Sequence, residues 1–203
     1  MRRILPAIGV VGLLLFAAND AGFTAHADEA RPPESVNTRY LLSDTAGHVV
    51  NTDTFEGRFQ LLTFGYTACE EVCPATLTTI GLVLRELGDR ASKVQAIFIS
   101  VDAGRDTLAT LRNYLTHFDS RIVGLTGPAE FVQSAAEHFH VIVQKTAGAA
   151  AGDYIIDHTA GYYVLGRDGE FLGRLAYGMT AEDISGRLRK LVDAPESGPL
   201  PPL

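Results

Sequence analysis

The only two cysteines of the chain lie four residues apart, in the stretch FGYTACEEVCPATL (residues 64–77). Cys69 and Cys73 follow an apolar run and precede a proline, so we expect them where a buried strand passes into a helix. Such a pair can form a structural disulfide, act as a redox-active dithiol, or supply part of a metal site. A disulfide that closes so short a loop removes little entropy from the unfolded chain, so a purely structural bridge would stabilise the protein only weakly.

A redox-active dithiol is disfavoured by two features of the sequence. Thioredoxin-like reductases normally carry two residues between their cysteines, whereas this chain has three. They also normally set a cis-proline against the disulfide, and no proline lies between Pro128 and Pro195. The redox interpretation therefore stays an alternative.

Local charge acts on the two thiols in opposite directions. We expect Cys73 at the N-cap and Pro74 at the first helical position, where free backbone N–H groups and the helix dipole favour a thiolate. Glu70 and Glu71 oppose this, because nearby negative charge raises the pKa of a thiol. The direction of the net pKa shift stays open at the level of the sequence.

A metal site needs ligands beyond the two thiolates. Thiolates are soft donors that suit Cu(I), zinc or an iron–sulfur cluster. A cluster would usually want four cysteines and structural zinc four ligands, and no second cysteine pair exists. Two thiolates and one imidazole would make a three-coordinate site, which Cu(I) accepts.

The third ligand would have to come from five histidines that follow residue 27: His48, His117, His138, His140 and His158. His158 lies in YIIDHTAGYYV, between a predicted loop and an apolar strand, with Asp157 beside it. A histidine in such a setting is by itself more often structural than a ligand. Sequence pattern alone does not single out one of the five.

Strands that alternate with helices must position these residues. Apolar runs predict buried strands over 59–66, 96–101 and 122–125, and helical spacing predicts helices over 74–87, 108–118, 131–139 and 184–191. A hairpin is expected near the start (residues 40–58), a loop over 146–153, and a second hairpin over 162–175. This order is that of the thioredoxin fold, an α/β domain with a central mixed β-sheet flanked by helices and, here, an N-terminal β-hairpin extension.

The N-terminal sequence predicts export. Arg2 and Arg3 precede an apolar run over residues 4–18, and small residues follow at 25–27, as in a secretory signal peptide spanning 1–27. The alternative is that residues 4–18 are retained as a membrane anchor. From the signal peptide we expect a periplasmic protein in an oxidising space.

The remaining sequence divides into a flexible linker (28–39), one domain (40–193) and a flexible tail (194–203).

The charge balance excludes some partners. The formal net charge is −7 and no basic run is present, which argues against nucleic acid and anionic membrane surfaces. Metal ions and basic proteins remain compatible with this acidic domain.

Four blocks together resemble the SCO/SenC family of copper-binding, thioredoxin-fold proteins. They are FGYTACEEVCPATL, FISVDAGRDTLATLRNYL, VGLTG and DYIIDHTAGYYVLGRDGEF, which occur in this order within residues 40–191. The resemblance implies that Cys69, Cys73 and His158 bind one copper ion, as Cu(I), Cu(II) or both. It also implies delivery of that ion to the dinuclear copper site of cytochrome c oxidase, or reduction of the thiols of that site.

The chain departs from the family pattern at three positions. Glu70 stands where the family usually has a proline, and Ala103 and Leu108 stand where prolines are frequent. Glu70 lies between the two expected ligands, so it bears on the stiffness of the loop, the pKa of the thiols and the affinity for copper.

The resemblance implies a metallochaperone, and the sequence adds three subsidiary expectations. Asp157 orients His158 or contacts the partner, and the loop over 146–153 lets His158 move in and out of the site. Asp102, in VDAGRD (residues 101–106), caps the following helix, although this segment is also suited to support the cysteine loop.

Other functions and partners follow from the same reading. The alternatives are a thiol–disulfide oxidoreductase or thiol peroxidase that uses Cys69 and Cys73, and a copper or redox sensor. The expected partners are the copper-site subunit of cytochrome c oxidase, other copper chaperones and thiol reductants. The expected oligomeric state is a monomer.

Overall fold

The computed structural model describes residues 36–148, 153–195 and 199–203. The predicted signal peptide (1–27), most of the predicted linker, the centre of the predicted loop and part of the predicted tail lie outside the described residues. Within the described part, no helix has the length and hydropathy of a membrane-spanning segment.

Nine strands and four α-helices make up the described part of the domain. The strands are β1 Leu41–Asp44, β2 Val49–Asn51, β3 Phe59–Gly65, β4 Val94–Ser100, β5 Ile122–Thr126, β6 Val143–Ala147, β7 Tyr154–His158, β8 Tyr162–Leu165 and β9 Phe171–Leu175. The helices are α1 Val72–Leu87, α2 Leu108–Leu115, α3 Ala129–His138 and α4 Ala181–Val192, and short 3₁₀ helices cover Thr52–Phe55 and Gly88–Lys93.

Seven of the strands form one mixed sheet in the order β2-β1-β5-β4-β3-β8-β9. The central strands β3, β4 and β5 are parallel, and the strands outside them are antiparallel to their neighbours. The α/β prediction with a central mixed sheet is confirmed. The N-terminal hairpin is also present, and its first strand joins the central sheet beside β5.

Helices cover both faces of the sheet, which explains why β3 and β4 are buried at every residue. One core cluster joins alternate residues of these strands, such as Leu61 and Phe98, to α1, α2 and α4. The other joins the intervening residues, such as Phe64 and Ile99, to α3 and the N-terminal hairpin. The alternation follows from the two-residue period of a strand.

Helix α1 begins earlier than the sequence predicts. It starts at Val72 with Glu71 as N-cap, so the prediction of Cys73 at the N-cap with Pro74 next is wrong by two residues. Pro74 is tolerated because the N–H groups of the first turn have no partner within the helix. Cys73 consequently lies one turn before Leu77, and both side chains are on the buried face of α1.

Strands β6 and β7 form a separate antiparallel sheet of two strands. The predicted loop over 146–153 is therefore shorter at its start, because Thr146 and Ala147 belong to β6 and pair with Ile155 and Tyr154. His158 is the last residue of β7 and lies opposite Val143. The histidine is thus carried by a hairpin rather than by an irregular loop.

Leu77→Ala should lower the free energy of unfolding by about 2–5 kcal/mol, because it removes a fully buried side chain between α1 and the sheet. Leu82→Ala, on the same helix but 39% exposed, is the matched control and should change it by less than about 1 kcal/mol. Urea unfolding of both variants measures the difference. Equal losses would contradict the assignment of the buried face of α1.

Candidate metal centre

The two cysteines lie in the loop and first helical turn that follow the carboxyl end of β3. Both are free thiols. Cys73 is buried and Cys69 is half-buried. Because the first turn leaves its backbone N–H groups unpaired, the N–H of Cys73 can donate to Cys69 Sγ, at 3.3 Å. The pair therefore presents one sulfur towards solvent and one towards the core.

Gly65, the last residue of β3, makes room for the Cys73 side chain. A Cβ at this position would lie 2.8 Å from Cys73 Sγ and 2.6 Å from Cε2 of Phe98. Both distances are shorter than van der Waals contact permits. The close approach of the thiol to the strand thus requires a glycine at position 65.

His158 reaches the cysteines from the β6–β7 hairpin. Its Nε2 lies 3.7 Å from Cys73 Sγ. Its Nδ1 lies 3.2 Å from the carbonyl oxygen of Thr159, which can only accept a hydrogen bond. That contact favours the tautomer with the proton on Nδ1, so the lone pair of Nε2 points to the thiols. The Tyr66 ring packs edge-on against the imidazole, with ring centroids 6.0 Å apart.

The local environment shifts the pKa values of the two thiols in opposite directions. The hydrogen bond from the Cys73 thiol, with further ones from the backbone N–H groups of Cys73 and Glu71, lowers the pKa of Cys69 despite partial burial. The same bond to Cys69, together with burial, raises the pKa of Cys73. These opposite shifts favour a thiolate on Cys69 and a thiol on Cys73. Hydrogen bonds within the pair thus give the ionisation a direction that the sequence left open.

Asp106 fastens the cysteine loop to the sheet. Its carboxylate is buried and accepts hydrogen bonds from Ser100 Oγ at 2.6 Å and from the backbone N–H and hydroxyl of Thr67 at 3.0 and 2.6 Å. Thr67 lies two residues before Cys69. Sequence reasoning missed this pair, although a second aspartate just beyond the carboxyl end of a buried strand was a usable signal.

Asp102 does not cap helix α2, so that prediction is wrong. The N-cap is Thr107, whose side chain accepts from the N–H of Thr110. Asp102 is fully buried and accepts from Arg105 Nε at 2.5 Å and from the Tyr154 hydroxyl at 2.6 Å. The alternative role given to VDAGRD, support of the site, agrees with these contacts.

The other candidate residues lie apart from this cluster. Asp157 is exposed and, by strand alternation, faces away from His158, whose Nδ1 contacts the Thr159 carbonyl instead. His48 contacts the Asp44 carboxylate, and the His138 ring contacts the carbonyl of Arg39. The structure thus brings Cys69, Cys73 and His158 together, and leaves Asp157 available for a partner.

The donor set and its spacing suit a soft metal ion. Two donors of a trigonal ion, with bonds of about 2.3 Å to sulfur and about 2.1 Å to nitrogen, lie about 3.8 Å apart. The distance between Cys73 Sγ and His158 Nε2 is 3.7 Å. Among the residues that the structure describes, no group of three or more His, Cys, Asp or Glu side chains is already arranged as a complete metal site.

Gly65→Ala should lower the affinity for Cu(I) by about tenfold or more, because the new methyl group displaces Cys73 Sγ. Titration against a competing Cu(I) chelator measures the affinity. Gly186→Ala in α4 is the control, since a Cβ there meets no atom within 4 Å. An unchanged affinity in a folded Gly65→Ala protein would show that Cys73 need not lie where the structure has it.

Comparisons with known proteins identify the family of this chain. A family model described as SCO1/SenC matches residues 28–193. The mitochondrial SCO2 homolog of Bos taurus is 32% identical over 186 residues, which is 90% of this chain and 70% of that protein. The chain spans 57–70% of the length of the first curated relatives it matches.

Solved structures of copper-bound Sco proteins resemble the fold. ScoI of Bradyrhizobium japonicum with copper bound is 39% identical, with a TM-score of 0.71 over 76% of this chain and 98% of that one. Yeast Sco1 with copper bound is 27% identical, with a TM-score of 0.72 over 80% and 92% of the two chains. With the family model matching most of its length, this chain belongs to the SCO1/SenC family.

Proposed function

We propose that this protein is a copper chaperone that binds one copper ion through Cys69, Cys73 and His158. It delivers the ion to the dinuclear copper site of cytochrome c oxidase, or prepares the thiols of that site. The observation that carries the proposal is the 3.7 Å approach of His158 Nε2 to Cys73 Sγ, across 85 residues of sequence. The copper-bound relatives support the identity of the metal.

The chemistry of the donors supports copper over the other metals considered. Two thiolates and an imidazole form a soft, three-coordinate set that satisfies Cu(I) and falls short of the four ligands of structural zinc. Loading would release the proton that Cys73 keeps in the apo state, so copper affinity should rise with pH. Oxidation of the pair to a disulfide would remove both sulfur donors.

The unequal burial of the two sulfurs supports transfer rather than permanent storage. Cys73 is buried, whereas Cys69 is half-buried at the mouth of the site. An acceptor ligand can therefore approach the ion from the side of Cys69. The exposed Asp157 carboxylate, on the opposite face of β7 from His158, is available to contact the partner.

The acceptor and the compartment come from the family and the N-terminal sequence rather than from a contact in the structure. The copper-site subunit of cytochrome c oxidase is the proposed partner, with other copper chaperones and thiol reductants as suppliers. Export to the periplasm through the signal peptide of residues 1–27 is proposed, and retention through residues 4–18 is the alternative.

A thiol–disulfide reductase is the second candidate, favoured by the distinct environments of the two thiols. Cys69, the accessible thiolate, would attack a disulfide sulfur of the substrate and release one substrate thiolate. The Cys73 thiol, after losing its proton, would attack the Cys69 sulfur and release the second. Two electrons pass to the substrate, and the protein is left with a Cys69–Cys73 disulfide.

The reduced protein should bind one Cu(I) per chain, and His158→Ala and Cys69→Ala should each lower the affinity by at least about 100-fold, because each removes a donor. Competition with a Cu(I) chelator and metal analysis measure affinity and stoichiometry. His48→Ala removes an exposed histidine that contacts Asp44 and should bind like the wild type. Binding that is indifferent to His158 would contradict the proposed ligand set.

The reductase alternative predicts the reactivity of Cys69. Its lowered pKa should keep Cys69 open to alkylation by iodoacetamide at pH values where an ordinary thiol is protonated. Cys73→Ala removes the main hydrogen bond to the thiolate and should shift this reactivity to higher pH. Reduction of a disulfide in an apo copper-site fragment, in multiple turnovers with a thiol reductant, would favour preparation of the thiols of that site over delivery of copper.

A further inference from the structure

The β6–β7 hairpin that carries His158 has few attachments to the rest of the domain. It forms its own sheet of two strands, and such hairpins are marginally stable when isolated. A cavity of about 420 Å³ separates β6 from α3, lined by Val132, Ala136, Val143 and Lys145 among others. On that side, β6 contacts the core through the partly buried side chain of Val143.

We propose that Arg105, held in place by Asp102, is the residue that fixes this hairpin and with it the imidazole of His158. The contacts among Asp102, Arg105 and Tyr154, called the clasp below, exist in the protein without copper. Only their effect on copper binding rests on the proposed function. Arg105 is a positioning residue: its contacts are with Asp102, Asp153, Tyr154 and Tyr66 rather than with the three donors.

The guanidinium of Arg105 contacts Tyr154, the first residue of β7, and Asp153 just before it. Its Cζ lies 3.8 Å from the centroid of the Tyr154 ring, a stacking distance. Its Nη1 donates to the carbonyl oxygen of Tyr154 at 2.9 Å and to the carboxylate of Asp153 at 3.2 Å. One side chain thus holds both the ring and the backbone of Tyr154.

Asp102 connects Arg105 and Tyr154 to the central sheet. It lies two residues beyond the end of β4 and is fully buried. One carboxylate oxygen accepts from Arg105 Nε, and the other accepts from the hydroxyl of Tyr154 at 2.6 Å. A buried carboxylate is tolerated only when it is paired and hydrogen-bonded, so Asp102 needs both partners in place. Asp102, Arg105 and Tyr154 therefore contact one another in all three pairs, and these contacts link the end of β4 to β7.

The clasp controls His158 because of the alternation along β7. Tyr154, Ile156 and His158 lie on the same face of the strand, which is turned to the body of the domain. Ile156 is 3% exposed and supplies the one buried apolar anchor of β7. If the Tyr154 end were released, the hairpin would pivot about Ile156 and withdraw the imidazole from the cysteines.

The geometry requires arginine rather than lysine. A planar guanidinium can donate to a carboxylate and a carbonyl while its face stacks on a ring, whereas an ammonium group is a compact point charge. Arg105→Lys should therefore behave like a loss of the clasp rather than as a conservative change.

The test is made first on the reduced apo protein, by hydrogen exchange of the backbone amides. Arg105→Gln and the milder Tyr154→Phe, which deletes only the hydroxyl bonded to Asp102, should each speed exchange in β6 and β7 by about tenfold or more. Exchange in β3 and β4 should not change. Arg121→Gln is the matched control, since Arg121 pairs with Asp119 just before β5, at the opposite end of the sheet. Unchanged exchange in the hairpin of both clasp variants would overturn the proposal.

The second readout is a cycle of variants with Cu(I) affinity. Arg105→Gln should weaken binding by about 10–100-fold in the wild-type background, and should have no effect in the His158→Ala background. An equal loss in both backgrounds would overturn the proposal, because Arg105 would then act on the cysteines or on the charge of the site. If the wild type bound no copper, the proposed function would fail, and hydrogen exchange alone would still decide whether the clasp exists.

Discussion

Two carboxylates buried just beyond strand β4 tie both halves of the candidate site to the central sheet. Asp106 holds the loop that carries the cysteines through Thr67, and Asp102 holds the hairpin that carries the histidine through Tyr154 and Arg105. Each buried charge is costly by itself and becomes stable only when its donors are present. Satisfying these charges therefore links two segments that lie 85 residues apart to one edge of the sheet.

The hydrogen bonds among the donors connect metal binding with redox state. In the reduced apo site, the Cys69 thiolate accepts from the Cys73 thiol and from the N–H of Cys73. A metal ion would replace that shared proton, and a disulfide would consume both sulfurs. The sulfurs of Cys69 and Cys73 can bind copper or form a disulfide, but they cannot do both at once. The same two residues therefore suit either a chaperone or a reductase.

Much of the fold could be predicted from the sequence because its central strands are covered on both faces. The apolar runs of β3 and β4 and the helical spacing of α1 report this burial directly. Strand β6 escaped prediction because its residues are polar, exposed and short of contacts with the main sheet. The start of α1 was misplaced because a proline fits any position of the first turn, so Pro74 does not mark the first residue.

The site was predictable in part. The spacing of the cysteines, and their place after a strand, come from local pattern, whereas the choice of His158 came from the family resemblance. No local pattern could reveal that His158 Nε2 approaches Cys73 Sγ, since that contact joins residues 85 positions apart. Asp102 was taken for a helix cap because an aspartate before a helix usually is one.

X-ray absorption spectroscopy of the Cu(I)-loaded protein identifies the atoms bound to the ion. Binding through Cys69, Cys73 and His158 should give two sulfur scatterers at about 2.3 Å and one imidazole nitrogen at about 2.0–2.1 Å, with the nitrogen lost in His158→Ala. A sulfur-only environment in the wild type, or an imidazole signal that survives in His158→Ala, would contradict it.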